Sequence, residues 1–287
     1  MKPKANLPFL SVYSPASQLN EPARLFANMC ADVLASRELA WRLFVRNVSA
    51  RYRRTLFGYV WAFLPPILTT LVFVFLNHAG YFTVGYTEVP YPVFLLAGLI
   101  LWQLFCDAVN MPLQMVQQSH SLLTKVNFPR EALVIAGAGE VLFVFLIRLV
   151  LLLLALLWFK VGISWAIFLA PCGIFVLLGL GIGLGLVLTP VGILYHDVAQ
   201  GLPFVLYLWM FLTPVLYPVA RQWRGSTALA LNPVSPVLDT TRAWLLSSMA
   251  VDLSGFMIAT AAAVGTLLFG WLLYRLALPI LIERISA

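Results

Sequence analysis

Long runs of apolar residues, separated by short polar stretches, recur along most of the chain. Roughly 20 such residues in a helix cross the ~30 Å hydrocarbon layer of a membrane. The runs are continuous and do not alternate with polar residues, which favours helices over the strands of a membrane barrel. The pattern predicts an all-α integral membrane protein with six transmembrane helices, over about 56–76, 92–112, 131–159, 163–189, 202–220 and 254–276.

The segment 21–54 before the first span has a different pattern, in which apolar and charged residues recur with helical spacing. It predicts an amphipathic helix at the cytoplasmic membrane interface, with its cations among the lipid headgroups. Residues 1–20 are a polar extension without the apolar core of a signal peptide, and their sequence indicates no role. The predicted apolar stripe of the helix consists of Phe26, Met29, Val33, Phe44 and Val48.

The region of about 225–250 is also unlike a span, because it is only semi-apolar and is broken by Pro233 and Pro236. It predicts short external helices, either a hairpin that re-enters the membrane without crossing it or a pair that lies on its surface. Asp239 and Arg242 lie three residues apart and are spaced to pair on such a helix.

Two spans contain residues that change helix geometry or packing. Pro65 and Pro66 in the first span predict a kink or break, since proline removes a helical donor and restricts the residue before it. The fourth span has glycines four residues apart, which allow another helix to approach closely. They indicate either a sliding surface or static packing within the chain, and they are Gly179, Gly181, Gly183 and Gly185.

The composition agrees with a membrane protein and predicts its orientation. Of the 287 residues, 62% are hydrophobic and 10% are charged, and the mean hydropathy is +0.93. Soluble domains carry about 25% charged residues, so a soluble fold is excluded. Thirteen lysines and arginines fall on the side that holds both termini and four on the other. Because cations accumulate in cytoplasmic loops, both termini are predicted to be cytoplasmic.

Few residues are arranged for catalysis or metal binding. The three cysteines and three histidines are far apart, and the chain lacks the glycine-rich loop that binds nucleotide phosphates. We therefore predict a conduit and not an enzyme. No catalytic residue, metal or cofactor is expected in this chain, and no nucleic-acid partner.

Three ionisable residues fall inside the predicted spans: Asp107, Glu140 and Arg148. Such groups are costly in lipid and usually face protein or water. Glu140 and Arg148 lie eight residues apart on roughly one helix face. They are placed to pair with each other through water or with Asp107. The set indicates either a polar pathway or a structural ion pair.

Aromatic residues make up 14% of the chain, and the first and fifth spans are rich in them. The apolar faces of sugar rings stack on aromatic side chains, so these residues are candidates for the wall of a glycan channel. The alternative is an ordinary role in interfacial belts and lipid-facing packing. The candidates are Tyr59, Trp61, Phe63, Phe73, Tyr207, Trp209, Phe211 and Tyr217.

Four segments carry a family resemblance, and in chain order they are FVRNVSARYRRTLFGYVWAFLPPILTTLVFVFL, HSLLTKVNFPRE, LYHDVAQGLPFVLYLWMFLTPVLYP and LNPVSPVLDTTRAWLL. They resemble the permease subunits of ATP-binding-cassette polysaccharide exporters, which serve O-antigen, capsule or teichoic acid. The resemblance covers about residues 36–276. The sequence departs from the family at His196-Asp197, where the family often has Arg-Asp.

The resemblance implies an ATP-driven exporter of lipid-linked polysaccharide in the bacterial inner membrane. It implies a homodimer of this chain with two copies of a separate ATPase that binds ATP and Mg. The glycan route would run between the two copies, lined mainly by the first and fifth spans. Residues of the amphipathic helix and of two cytoplasmic loops would contact the ATPase: Arg37, Glu38, Arg42, His120, Leu123, Lys125, His196 and Asp197.

Two other functions stay open on the sequence alone. An exporter of a drug or small lipid, from the same superfamily, would have a cavity instead of a continuous channel. A membrane-embedded transferase would need acidic or basic residues clustered at one membrane face. His196 and Asp197 are the one candidate dyad for it, but they are adjacent in sequence, so their side chains diverge.

Overall fold

The computed structural model describes residues 22–52, 58, 60–81, 85, 87–119, 129–162, 164–218, 232–246 and 252–286. Across these ranges the chain forms eight α-helices and one 3₁₀ helix, without strands. They are α1 Pro22–Tyr52, α2 Val60–His78, α3 Tyr91–Gln118, α4 Glu131–Trp158, the 3₁₀ helix Trp165–Leu169, α5 Ala170–Leu194, α6 His196–Leu212, α7 Val234–Leu246 and α8 Leu253–Ser286.

Five stretches of the described chain are helical, long and apolar enough to cross a membrane. The prediction of an all-α membrane protein is therefore confirmed. Helix α6 corresponds to the predicted fifth span, but with 17 residues it is shorter than these five. The five stretches are Val60–His78, Tyr91–Gln118, Glu131–Trp158, Trp165–Leu194 and Leu253–Leu278.

Helix α5 packs against α3 and α8, and its glycines make both contacts close. A methyl group at Gly181 would lie 2.6 Å from Ala108 Cβ of α3. One at Gly183 would lie 2.7 Å from the backbone nitrogen of Leu267 in α8. Non-bonded carbon atoms prefer about 3.5–4.0 Å, so side chains larger than hydrogen do not fit at these positions. Gly181 and Gly183 thus allow close packing between helices of one chain, and a sliding surface stays a prediction.

A kink or a break was predicted at the double proline. The break is wrong, because α2 is helical through Pro65 and Pro66, and the kink stays a prediction. Both prolines lie in the second turn of α2, so only the carbonyls of Trp61 and Ala62 lose their helical donors. Ala62 and Pro66 are buried against the bundle, and this packing stabilises the helix across the missing hydrogen bonds.

The fifth helix begins and ends earlier than the predicted range 202–220. Helix α6 ends at Leu212, and Thr213 adopts an extended conformation with φ −101° and ψ 139°. The cause is Pro214, which disfavours a helical residue before it and has no N–H to continue the ladder. The hydroxyl of Thr213 donates to the carbonyl of Trp209 at 3.1 Å, and residues 214–217 form turns and bends.

The helix ends form two groups. At one end, α7 contacts the beginning of α5, where Thr241 lies beside Gly173. At the other end, α1 contacts the last turns of α3, where Asn47 lies beside Met115. We call these the α7 end and the α1 end of the bundle.

Helix α1 packs along α4. The ring of Phe44 lies against Gly139, where a methyl group would come within 3.1 Å of it. The predicted apolar stripe is only partly correct. Of its described side chains Met29 is buried, whereas Val33, Phe44 and Val48 are half-buried. The buried residues of α1 are Met29, Ser36, Ala40 and Leu43.

Helix α7 occupies the middle of the region 225–250 that was predicted to hold external helices. It packs against α3, α5, α8 and the 3₁₀ helix. Its side chains are buried except for Pro236 and Asp239, which are half-buried. The flanking residues 219–231 and 247–251 lie outside the described part of the chain.

Candidate functional site

An ion pair joins α3 and α4. Arg148 Nη1 donates to Asp107 Oδ2 at 2.5 Å. The side chain of Arg148 is 12% exposed and that of Asp107 is 39% exposed, so the carboxylate is open on its outer side. Of the two partners considered for Arg148, the structure shows Asp107.

The direct partner of Glu140 lies on α1. Its pairing with Arg148 through water stays a prediction. Asn47 Nδ2 donates to Glu140 Oε1 at 2.6 Å and lies 3.8 Å from the sulfur of Met115. The physical reason is the packing of α1 along α4, which brings an amide to a buried carboxylate that needs a donor. Asn47 and Glu140 are 93 residues apart, and nothing in the sequence pattern connects them.

The candidate channel aromatics of α2 differ in exposure. Trp61 is 55% exposed and presents its ring on the surface of the chain. Phe63 is half-buried, and Phe73 packs against the hydrophobic core. Tyr59 lies outside the described residues.

The candidate aromatics of α6 also divide into two sets. Tyr207 and Phe211 are exposed and meet edge to face, with ring centroids 5.5 Å apart. Tyr217 is exposed as well, and its hydroxyl donates to the Phe211 carbonyl at 3.0 Å. Trp209 instead meets Phe105 of α3 edge to face at 5.6 Å. It anchors α6 to the bundle, whereas the other three form an aromatic surface.

The candidate partner-binding charges of α1 are on its surface. Arg37, Glu38 and Arg42 are all exposed. Arg42 Nη2 pairs with Glu38 Oε1 at 2.7 Å, and both side chains are about three-quarters exposed. An ion pair this exposed contributes little to folding, so these charges are available to a partner.

Three large apolar residues of α1 are exposed among these charges, and the sequence analysis did not single them out. They are Leu34 at 71%, Trp41 at 64% and Val45 at 43%. Their spacing of seven and four residues places them on one helix face, opposite the face that packs on α4. We call them the α1 ridge.

His196 and Asp197 are exposed in the first turn of α6. The other loop candidates, His120, Leu123 and Lys125, lie outside the described residues. Within the described part of the chain, no three His, Cys, Asp or Glu side chains come together as a possible metal site.

A cluster of charges at the α1 end joins three helices that are distant in sequence. Arg275 of α8 donates to Glu131 Oε1 of α4 at 2.9 Å and to Asp32 Oδ2 of α1 at 2.7 Å. The arginine and glutamate side chains are each 9% exposed. No local spacing in the sequence reveals this cluster, because its residues lie 144 and 243 positions apart.

A second buried arginine joins α7 to the turn after α6. Arg242 pairs with Asp239, as predicted, and Nη1 also donates to the Pro214 carbonyl at 2.9 Å. The guanidinium lies 3.8 Å from the ring centre of Phe94 in α3, a cation–π contact. Burial lowers the pKa of Arg242, and the charge of Asp239 opposes that shift.

Known proteins resemble this chain in sequence over most of its length. Residues 38–246, from α1 to the end of α7, match the ABC-2 type transporter family. The chain belongs to that family. Within the ABC-2 transporters, it is 30% identical over 233 residues to the O-antigen export system permease protein RfbA of Myxococcus xanthus. This match covers 79% of the chain and 88% of that protein.

More distant ABC-2 relatives carry similar names. The chain is 21% identical over 247 residues to the O-antigen export system permease protein RfbA of Klebsiella pneumoniae. It is 22% identical over 253 residues to the polysialic acid transport protein KpsM of Escherichia coli. Each match covers 81% of this chain and 91% of the relative. Each match therefore covers most of the chain and not a single motif.

Proposed function

We propose that this chain is the membrane subunit of an ATP-driven exporter that moves a lipid-linked polysaccharide, such as O-antigen or capsule, across the bacterial inner membrane. The observation that carries the proposal is the 30% identity, over 79% of the chain, to a protein named as an O-antigen export permease. In the proposed complex, two copies of the chain enclose the route. Two copies of a separate ATPase subunit bind ATP and Mg and supply the energy.

We propose that the chain crosses the membrane six times, with α6 as the fifth crossing. Helix α6 starts directly after α5, whose end lies near the last turns of α3: a methyl group at Gly192 would meet Leu113. The turn after α6 reaches the α7 end, where the Pro214 carbonyl accepts from Arg242. The 17 residues of α6 span about 25 Å at 1.5 Å per residue, and the turn that follows at Thr213 continues toward the α7 end.

The α1 end of the bundle then faces the cytoplasm and the α7 end faces outward. The uneven distribution of lysine and arginine supports this orientation. It places α1, the loop 120–128 and the α5–α6 connection at His196 on the cytoplasmic side, together with the ATPase.

The ridge on α1 supports a docked ATPase on that side. Protein interfaces often have an apolar centre, with aromatic residues prominent, and a polar rim. On α1 the exposed Trp41 has Leu34 and Val45 on its own face and charged residues such as Arg37 and Arg42 beside it. We assign the ridge to the ATPase contact, with the charges as its rim.

Four exposed aromatic side chains support a glycan route along α2 and α6. Sugar rings stack on aromatic faces through their C–H groups, and such contacts are individually weak. A polymer in this route slides without a deep binding site. The residues are Trp61, Tyr207, Phe211 and Tyr217. Trp209 and Phe73, which pack inward, would affect the route only through the shape of the bundle.

The proposal is tested by deleting the chain in its own host and by purifying a tagged copy from native membranes. We expect lipid-linked glycan to accumulate in the cytoplasmic leaflet and the purified chain to carry a nucleotide-binding subunit at equal stoichiometry. Accumulation of a small lipid or drug, with glycan export intact, would contradict the substrate. A chain that purifies alone from membranes containing the ATPase would contradict the complex.

A further inference from the structure

Helix α3 has a polar face along its second half, half-buried in its first part and exposed in its last turns. From residue 103 to residue 118 every side chain that is not buried is polar, apart from the thiol of Cys106. Five of them follow each other at steps of four and three residues, which places them on one helix face. This polar stripe consists of Gln103, Asp107, Asn110, Gln114 and Gln117.

The neighbouring spans have the opposite surface. None of the large hydrophobic residues exposed on the described chain belongs to α3. In the middle of α2, α4 and α8, by contrast, the exposed side chains are apolar, as lipid requires. Examples are Leu68 and Leu71 of α2, Leu146 and Val150 of α4, and Ile258 and Val264 of α8. Lipid therefore does not cover the stripe of α3.

The other sides of α3 are occupied by its own chain. Ala108 faces the glycines of α5, and Met111 contacts Gly137 of α4. The stripe lies away from both of these contacts. Asn110 Nδ2 bonds only locally, to the Cys106 carbonyl at 2.8 Å, and the buried Gln103 Oε1 has no hydrogen-bond partner among the described residues. The stripe thus has unused hydrogen-bonding capacity, and polar groups inside a membrane face protein or water.

We propose that the polar stripe of α3 is a wall of the water-filled route and that the hydroxyl groups of the polysaccharide bind to it. The inference rests on the proposed function. Amide side chains offer both donors and acceptors, which matches sugar hydroxyls in any orientation. The one charge of the stripe, on Asp107, is balanced by Arg148, so the wall is nearly neutral and holds a passing glycan weakly.

A second copy of the chain is the other surface that could cover the stripe, and Asp107 argues against it. The carboxylate is 39% exposed although its cation is already bound within the chain. A dry contact between copies would strip water from this ion pair without adding a new partner, which is unfavourable. A wet wall leaves the carboxylate hydrated.

The test uses the complete transporter in native membranes, in a background where the three natural cysteines are replaced by alanine. Single cysteines replace Gln103, Asn110 and Gln114, with Leu146→Cys and Val150→Cys of α4 as lipid-facing controls of similar depth. A charged, membrane-impermeant thiosulfonate is added from the cytoplasmic side, and the labelling rates are compared. Each variant is first shown to be expressed and to bind its ATPase.

The stripe cysteines are expected to react on the order of tenfold faster than the controls, because the reacting thiolate forms only in water. Labelling is also expected to slow in cells that make the lipid-linked glycan, relative to cells that lack it. Stripe positions that react as slowly as Leu146→Cys overturn the inference. So do stripe cysteines that cross-link the two copies directly, and fast labelling that the glycan does not slow.

These results are separable from failure of the proposed function. Slow labelling of the stripe cysteines, in a complex that still exports glycan, overturns this inference alone. If deletion of the chain leaves glycan export intact, the proposed function fails whatever the labelling shows. Two variants of Asn110 add a second measurement. Asn110→Gln keeps the amide and is expected to retain glycan export. Asn110→Leu removes the amide and is expected to lower export.

Discussion

At the scale of single residues, Arg242 shows what a buried cation does in this bundle. It pairs with Asp239 on its own helix, donates to a backbone carbonyl after α6 and stacks on Phe94 of α3. Three separate segments therefore meet on one guanidinium. Its planar group satisfies all of them at once, which a lysine ammonium does not do.

Replacing Arg242 with methionine is expected to destabilise the chain by about 3–5 kcal/mol, because a carboxylate and a carbonyl lose their buried partner. The matched control is Arg42→Met, which breaks an ion pair of similar spacing whose side chains are 75% and 76% exposed. That change is expected to cost at most about 1 kcal/mol. Chemical unfolding of both variants in detergent micelles measures the difference, and equal losses would contradict the role of burial.

At the scale of elements, the glycines of α5 set how closely the central helices approach. Gly183→Ala places a methyl group 2.7 Å from the backbone of α8, so we expect a loss of about 1–3 kcal/mol from overpacking. Gly179, one turn earlier, has its nearest neighbour at 3.9 Å. Gly179→Ala is expected to leave stability unchanged or slightly raised. Unfolding of the two variants, side by side, tests the contact, and equal behaviour would contradict it.

Helix α1 carries a separate prediction at this scale. If the α1 ridge binds the ATPase, Trp41→Ala is expected to weaken the complex by roughly 2 kcal/mol, or about thirtyfold in Kd. Trp165→Ala is the control, since Trp165 is 85% exposed but lies at the α7 end. The amount of ATPase that co-purifies measures the effect. Loss of ATPase from both variants, or from neither, would contradict the assignment of the α1 ridge to the ATPase contact.

The sequence predicted the elements well where an apolar run is bounded by polar residues. The predicted third span, 131–159, agrees with α4, Glu131–Trp158. The same signal was misleading at α6, where the apolar run continues past Thr213 but Pro214 ends the helix. A continuous apolar run indicates the environment of a segment. The end of its helix depends on a single position, where proline lacks the backbone N–H that the helix needs.

The candidate site was less predictable because its contacts are distant in sequence. The pair Asp239–Arg242 lies within one helical turn and was confirmed. The bond from Asn47 to Glu140 depends on how α1 packs along α4, and no local pattern contains that information. The α1 ridge was missed for a related reason. Trp41 is exposed because the opposite face of α1 packs on α4, and the sequence does not show which face packs.

At the scale of the whole molecule, the number of crossings decides where the two ends of the chain lie. Five crossings place the termini on opposite sides of the membrane, and six place them on the same side. With α6 as a crossing, we expect reporters fused to the N and C termini to lie in the cytoplasm. A reporter inserted after Lys160, between α4 and the 3₁₀ helix, is expected outside. Termini on opposite sides would contradict the sixth crossing.

The cluster at the α1 end also imposes an order on assembly. Asp32 and Arg275 are 243 residues apart, so at 5–20 residues per second the ribosome makes the arginine on the order of tens of seconds after the aspartate. During that interval α1 and the base of α4 hold two carboxylates without their shared cation. Helix α1 is therefore joined to α8 by this ion pair only after α8 has been made, although α1 can pack on α4 before then. A chain truncated before α8 would keep the packing of α1 on α4 but lose this shared cation. We expect such a chain to hold α1 less tightly near Asp32 and, in the proposed complex, to bind the ATPase more weakly.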